Sequence, residues 1–461
     1  MMQVKDKLVL VLGLGETGLS MVRWLSAQGA ILRVADSRVT PPALDEVAVY
    51  VAPSAMFLGA FSDAMIEGIE LIAISPGVPL RDPVVAAAMA RGIPVVGDVE
   101  LFAQTLPVVA RPQILAITGA NGKTTVTRMV EHLCMAVGKD AVAAGNISPA
   151  VLDVVLNRGE RQPEIWVLEL SSFQLETTVS LQADAATVLN VSEDHLDRYA
   201  SMDEYAAVKA RILQGSGVQV LNRDDVRCMN MVEFGRNITT FGLDAPRDAL
   251  GWGVERDVSG EIWLVQGGQR LLRASELQVS GLHNVANALA ALALCRAIDL
   301  PMAGLLSALR SFKGLPHRLE RVAQIDDVTY YDDSKGTNVG AVVAALQGLG
   351  CKSVLIAGGE GKGQDFAPLN AVVAQHARAV LLIGRDAPVI ASALENCGVP
   401  VLRAQDMHDA VRQAARLAQA GDAVLLSPAC ASFDMFRNYA HRAEVFVEAV
   451  QALSKEGVWS H

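Results

Sequence analysis

The run Ala116-Ile-Thr-Gly-Ala-Asn-Gly-Lys-Thr-Thr125 constrains this chain more than any other stretch. The short apolar run Ile114 to Ile117 predicts a buried strand. Gly119 and Gly122 let the backbone curl so that successive N–H groups point at an anion. Lys123 adds a fixed positive charge, and the Thr124 hydroxyl is placed to reach a divalent cation. The spacing of Val126 to Val137 predicts a helix whose N-terminus faces the bound phosphates. A plain strand–turn–helix junction would gain nothing from Lys-Thr-Thr at the helix start. The glycine usual five residues before the Gly-Lys pair is Ile117 here. This contracted loop points away from nucleotide hydrolases in general and towards a narrower class of ATP users.

A strand that feeds such a loop belongs to a parallel sheet, and the remaining pattern agrees. Half of the chain is apolar, with few aromatics and much Ala, Val, Leu and Gly. That suits helices packed on sheets through small side chains. The length of 461 residues allows about three domains. The predicted class is α/β, with Rossmann-like units flanking a central phosphate-loop domain. No apolar run reaches the ~18 residues of a membrane span. Gly13, Gly15 and Glu16 interrupt the first apolar stretch, which reads as a strand and not a signal peptide. A net charge of −11 disfavours nucleic acid as a partner. The six scattered cysteines include no Cys-x-x-Cys pair and fit buried thiols in a reducing cytoplasm.

Three units are expected. In the first, residues 1–105, the strand Leu8 to Leu12 precedes Gly13-Leu-Gly-Glu-Thr-Gly18 and a helix from Leu19 to Gln28. A second strand, Ala30 to Ala35, ends at Asp36. The acid stands about twenty residues beyond the glycines, as in dinucleotide-binding βαβ units. The spacing alone leaves NAD and other diphosphate ligands open. Strand Leu71 to Ile74 ends in Ser75-Pro-Gly77. The second unit, 106–314, carries the phosphate loop and strands Ile165 to Leu168, Ala185 to Leu189 and Val218 to Leu221. A polar, glycine-interrupted stretch at 245–275 suggests a small β appendage, followed by an apolar helix from His283 to Ile298. The third unit, 315–461, again alternates strands with helical runs, its strands ending in Gly358-Gly359, Gly384 and Ser427-Pro428.

Loops at the carboxyl ends of parallel strands converge on the ligand. Glu169 and His195 both follow central-unit strands and could meet the phosphate loop, where each could hold magnesium. Each also reads as an ordinary helix cap or turn residue. Lys209, on the helix predicted over 203–213, reads by itself as a solvated lysine. In the third unit, Asp333-Ser-Lys-Gly-Thr-Asn338, Gly358 to Gly363 and Ser427 to Phe433 should share one edge. There Lys362, Thr337 and Ser432 offer one cation and two hydroxyls, enough to hold a carboxylate, and each reads equally well as an ordinary turn residue.

Together the motifs resemble the Mur ligases, the ATP-dependent amino-acid ligases of peptidoglycan precursor synthesis, over essentially the whole chain. They include Asp36-Ser-Arg-Val-Thr-Pro-Pro42, Ala144-Gly-Asn-Ile147, Leu168-Glu-Leu-Ser-Ser-Phe-Gln-Leu175, Glu193-Asp-His-Leu-Asp-Arg198, Leu282-His-Asn-Val-Ala-Asn287, Pro316-His-Arg318 and Ser427-Pro-Ala-Cys-Ala-Ser432. The Leu-Ser-Ser-Phe-Gln and Asp-Ser-Lys-x-Thr-Asn elements point to the branch that adds D-glutamate to UDP-N-acetylmuramoyl-L-alanine. The resemblance implies an acyl-phosphate mechanism with ATP as co-substrate and two Mg²⁺ ions. It implies catalytic roles for Lys123, His195 and a carbamylated Lys209, with Thr124, Glu169, His195 and Lys209 as metal ligands. ATP would be held by Gly119, Asn121, Gly122, Lys123, Thr124, Thr125, Asn287, Arg318 and Asp333. The UDP-sugar would meet Thr17, Ser37, Arg38, Ser75, Gly77, Asn146, Ser171 and Gln174. D-Glutamate would meet Thr337, Lys362, Ser432, Phe433 and Tyr439. It also implies a cytoplasmic monomer whose partners are these small molecules. Glu16 departs from the apolar residue common beside the uracil, and Tyr439 from a common phenylalanine.

Three other readings compete. A folylpolyglutamate synthase lacks a comparable first unit. An NAD-dependent oxidoreductase leaves the phosphate loop idle. A regulator with a degenerate loop has no use for Lys123, Thr124, Glu169 and His195 together.

Overall fold

The computed structural model describes residues 3–107, 109–193, 198–233 and 235–456. Three sheets follow one another along the chain. Strands β1 (Leu8–Leu12), β2 (Ile31–Asp36), β3 (Met56–Leu58), β4 (Leu71–Ile74) and β5 (Val95–Val96) form the first, in the order β3-β2-β1-β4-β5. All its pairings are parallel. The sequence of β1 shows no apolar–polar alternation because both of its faces are covered: Val9 and Val11 pack on one core, Leu10 and Leu12 on another.

The second sheet has nine strands: β6 (Gln113–Thr118), β7 (Ala141–Gly145), β8 (Ile165–Glu169), β9 (Ala185–Val188), β10 (Val218–Asn222), β11 (Ile238–Phe241), β12 (Trp252–Arg256), β13 (Ile262–Gln266) and β14 (Gln269–Arg273). Their order is β14-β13-β12-β11-β10-β9-β6-β8-β7. The strand order reverses around β6, so the crevice beside its carboxyl end is where ligands settle in such sheets. The β appendage expected at 245–275 is present and extends this sheet. Phe241 pairs with Trp252, and β12, β13 and β14 continue as antiparallel hairpins. Trp252, Leu264 and Leu272 bury their side chains in the same core as the Leu282–Ala297 helix. That burial is what holds the polar segment against the sheet.

The third sheet contains β15 (Glu320–Ile325), β16 (Val328–Asp332), β17 (Ser353–Gly358), β18 (Ala377–Ile383), β19 (Val401–Arg403) and β20 (Ala423–Leu426), ordered β15-β16-β20-β17-β18-β19. Only the edge pair β15–β16 is antiparallel.

Buried polar contacts dock the first unit on the second. Gln174 Nε2 donates to both Asp98 oxygens at 3.1 and 3.4 Å. Burial pushes the Asp98 carboxyl up to about 6 against that hydrogen bond. The Glu100 carboxylate accepts from the Val179 and Ser180 amides, and Arg198 donates to Pro76 O at 2.9 Å. Among the described residues no helix is long and apolar enough to cross a membrane.

Candidate active site

The carboxyl end of β6 turns into the loop 119–122, and the Lys123–Ala136 helix starts directly after it. Gly122 cannot be replaced without strain. Its φ is +83°, and a Cβ there would stand 2.7 Å from Asn287 Oδ1. At Gly122 the loop therefore packs directly against Asn287 of the Leu282–Ala297 helix. Lys123 Nζ folds onto the loop, donating to Gly119 O at 2.8 Å and Ala120 O at 3.0 Å.

Two cavities meet at this loop. A cleft of about 1060 Å³ is lined by Asn121, Gly122, Lys123, Thr124, Asn146, Glu169, Arg318, Lys335, Thr337, Lys362 and Tyr439, among others. A more apolar cavity of about 410 Å³ is lined on one side by Thr125, Leu189, Phe241 and Asn287, and on the other by Asp333, Gly340 and Ala344. Asn121, Gly122, Arg318 and Lys335 line both. An elongated anion with an apolar head could span them, head in the smaller cavity and charge in the cleft.

Glu169 closes β8 and is 1% exposed. Its Oε1 accepts from Asn146 Nδ2 at 2.8 Å. Its Oε2 is buried and has no hydrogen-bond partner among the described residues. A buried carboxylate oxygen left without a donor in a polar cleft suits a cation. The Thr124 hydroxyl lies in the same cleft. Oxygen donors of this kind fit Mg²⁺.

Arg318 crosses from the third unit, and its Nη2 donates to Thr124 Oγ1 at 2.9 Å. Burial pulls the guanidinium down, while the negative charges of Glu169 and Asp333 favour its cationic form. Burial likewise pushes the Asp333 carboxyl up to about 7, against the hydrogen bond from Ser427 Oγ and the charge of Arg318. Lys335 sits with Nζ 3.8 Å from the centre of the Tyr439 ring, its pKa lowered by burial and by Arg318.

Lys209 overturns the solvated reading of its sequence context. It is 1% exposed, behind the loop, with Nζ donating to Gly119 O at 2.9 Å and lying 4.5 Å from the Tyr205 ring centre. Lys123 and Lys209 thus grip one carbonyl of the phosphate loop from two helices. The expected helix over 203–213 ends earlier, at Ala210, and continues as a short 3₁₀ turn. His195 lies outside the described residues.

The remaining expected residues divide. Thr337, Lys362 and Tyr439 line the cleft. Ser432 is buried outside its lining and Phe433 is 68% exposed, both on the loop after β20. That loop is joined to the Gly359–Lys362 turn by paired backbone hydrogen bonds between Glu360 and Ala431. Asn146 faces the cleft, whereas Ser171 and Gln174 form the capping box of the Ser172–Glu176 helix and are absent from the cleft lining.

Thr17, Ser37, Arg38, Ser75 and Gly77 gather at the carboxyl end of the first sheet. Ser37, Arg38 and Gly77 are exposed, and Ser75 Oγ donates to Gly13 O at 2.7 Å. Asp36 does not stand free for a ribose, as the dinucleotide spacing would require. Its oxygens accept from Leu14 N, Arg38 N, Arg38 Nε and Arg38 Nη2 at 2.7–2.9 Å. Burial opposes the charge, yet these bonds hold the carboxyl down at about 2. Glu16 reaches the central unit instead, accepting from Ser148 Oγ at 2.7 Å.

Lys335, His317, Asn338 and Gln364 also line the cleft and were given no role by the sequence. The first three stand inside quoted motifs, Lys335 and Asn338 after β16 and His317 just before β15, which was the available signal.

Comparisons with known proteins agree along the chain. Residues 7–97 match the Mur ligase MurD-like N-terminal domain, 117–295 the Mur ligase middle domain and 317–430 the Mur ligase glutamate ligase domain. The chain is 59% identical to the UDP-N-acetylmuramoylalanine–D-glutamate ligase of Methylobacillus flagellatus over 458 residues, covering 99% of this chain and 100% of that one. It is 56% identical to the protein of the same name from Nitrosospira multiformis, covering 98% and 97%. Among solved structures, the fold is similar to a pseudomurein peptide ligase type C from Methanothermus fervidus, with a TM-score of 0.61, 17% identity and 97% and 100% coverage. It is also similar to the UDP-N-acetylmuramate-alanine ligase of Thermotoga maritima, with a TM-score of 0.59, 19% identity and 96% and 99% coverage. With three domain types in order and more than half of all residues shared end to end, the chain belongs to the Mur ligase family.

Proposed function

We propose that this protein joins D-glutamate to UDP-N-acetylmuramoyl-L-alanine at the expense of ATP, in peptidoglycan precursor synthesis, through an acyl phosphate. The end-to-end identity to D-glutamate ligases supports the substrates. The observation that carries the chemistry is the pair of cavities that share the phosphate loop and Arg318. The adenosine end of ATP occupies the smaller cavity, against Asn287 and Asp333. The phosphates run past Gly119, Asn121 and Gly122 to Lys123, Thr124 and Thr125. The L-alanyl carboxylate attacks the γ-phosphorus and ADP leaves. The D-glutamate amine then attacks the acyl carbon and phosphate leaves. A carboxylate oxygen is a poor leaving group, and phosphorylation removes that obstacle. The protein supplies position and charge.

Thr124 and Glu169 would hold one Mg²⁺, and His195 with a carbamylated Lys209 the second. Bound there, Mg²⁺ neutralises the charge of the reacting phosphates. Carbamylation makes an anionic oxygen donor of a lysine that the fold has already buried beside the loop. Lys123 binds the phosphate oxygens, and Arg318 reaches them from the third unit.

In this reading residues 1–105 hold the UDP moiety through Thr17, Ser37, Arg38, Ser75 and Gly77. Residues 106–314 hold ATP and, through Asn146, Ser171 and Gln174, the sugar–peptide arm. Residues 315–461 hold D-glutamate through Thr337, Lys362, Ser432, Phe433 and Tyr439. The protein works as a cytoplasmic monomer on small molecules. The test is amino-acid-dependent phosphate release from ATP, with the product identified by mass. D-Glutamate with the UDP-muramoyl-L-alanine acceptor should give it, and omission of either should abolish it.

A further inference from the structure

One chain of hydrogen bonds runs from the phosphate loop to the far side of the cleft. Asn121, at the loop tip, is held within the central unit by Asn190: its N–H donates to Asn190 Oδ1 at 2.8 Å, and its carbonyl accepts from Asn190 Nδ2 at 3.1 Å. Its side chain faces the third unit, where Oδ1 accepts from Asn338 Nδ2 at 3.0 Å. Asn338 is the N-cap of the Val339–Gly348 helix, accepting from the Ala341 amide at 2.9 Å. The next amide, Val339 N–H, donates to Gln364 Oε1 at 3.0 Å. Gln364 Nε2 then donates to Gly361 O at 3.0 Å and Ala429 O at 2.7 Å. Those carbonyls flank Lys362 and open the loop that carries Ser432. Close approach is built in: a Cβ at Gly340 would stand 3.1 Å from Asn121 Nδ2 and 3.2 Å from Ser192 Oγ.

We propose that Asn338 and Gln364 are positioning residues that couple the phosphate loop to the amino-acid side of the cleft. Neither needs to touch a reacting atom. Asn121 Nδ2 donates to Ser192 Oγ at 3.3 Å within the central unit; Asn338 adds the contact to Oδ1 only when the third unit is seated, so both ends of the Asn121 amide are held when the amino-acid loops are in place. The inference rests on the ligase reading for its effect on turnover, though not for the link itself.

Asn338→Asp tests it, because the carboxylate keeps the helix cap and removes the donor to Asn121. Its kcat should fall about three- to tenfold, the scale of one hydrogen bond, with the unfolding midpoint unchanged. In an Asn121→Ala background the same change should cost nothing further. In the unliganded protein, amide exchange of residues 119–125 should accelerate in Asn338→Asp. Unchanged kcat, factors that multiply independently in the double variant, or unaltered loop exchange would each overturn the coupling. A wild-type protein that adds no D-glutamate would instead overturn the ligase reading, leaving the exchange result to judge the link.

Discussion

Arg318 Nη2 and Thr124 Oγ1 lie 2.9 Å apart across a separation of 194 residues, and this contact joins the third unit to the start of the phosphate-loop helix. A hydroxyl suited to a metal ion therefore also registers where the third unit stands. Nucleotide should favour the seated arrangement only through groups it meets better there, and Arg318 lines both cavities. Arg318→Ala should lower kcat/KM for ATP on the order of 10²-fold, the cost of one well-placed charge. It should also abolish any nucleotide-dependent fall in the radius of gyration by small-angle scattering. Unimpaired nucleotide affinity in this variant would contradict the role.

Lys123→Ala should abolish acyl-phosphate formation, with a loss on the order of 10²-fold or more. Single-turnover ADP release in the presence of acceptor and absence of D-glutamate measures that step alone. Near-normal ADP release would place the nucleotide elsewhere.

Lys209→Ala should be nearly inactive, and acetate should restore part of the activity by replacing the carbamate oxygens. A native mass showing an unmodified lysine in active, metal-loaded protein would sink the carbamate.

Gly122→Ala combines a left-handed backbone with a Cβ 2.7 Å from Asn287 Oδ1. The backbone alone costs about 1–2 kcal/mol. A lowered unfolding midpoint and lost ATP affinity should appear together. Retention of both would show that the loop adapts freely.

The Asp36 clamp gives a pH dependence with a definite sign. The folded carboxyl titrates at about 2, below the ordinary 3.8. Its contribution to stability is therefore present above 3.8 and is lost as pH falls through about 2. Arg38→Gln removes the guanidinium bonds, so acid unfolding of the first unit, followed by Trp24 fluorescence, should begin at higher pH. An unchanged acid transition would show that the clamp adds no stability.

The sheets were legible where burial leaves an unbroken apolar run. β4 occurs as expected over Leu71–Ile74, and β20, Ala423–Leu426, ends before Ser427-Pro428 as expected. Boundaries shifted where polar residues end an element: β6 extends to Thr118, and the phosphate-loop helix begins at Lys123, not Val126. The β12–β14 appendage was legible, but its continuity with the central sheet was not, because its anchors, Trp252, Leu264 and Leu272, are too widely spaced to read as one buried face. Lys209 was illegible for a different reason. Its Nζ is held by the Gly119 carbonyl, and a partner 90 residues away leaves no local pattern. Asn338 was quoted as part of a motif, yet its reach to Asn121 depends on how two units pack.

The most direct test of the central claim is phosphate release from ATP with the UDP-muramoyl-L-alanine acceptor, screened over L- and D-amino acids with mass identification of the product. Release is expected only with D-glutamate, with a product heavier by one glutamyl residue. Equal or faster turnover with L-lysine, diaminopimelate or L-alanine would contradict it.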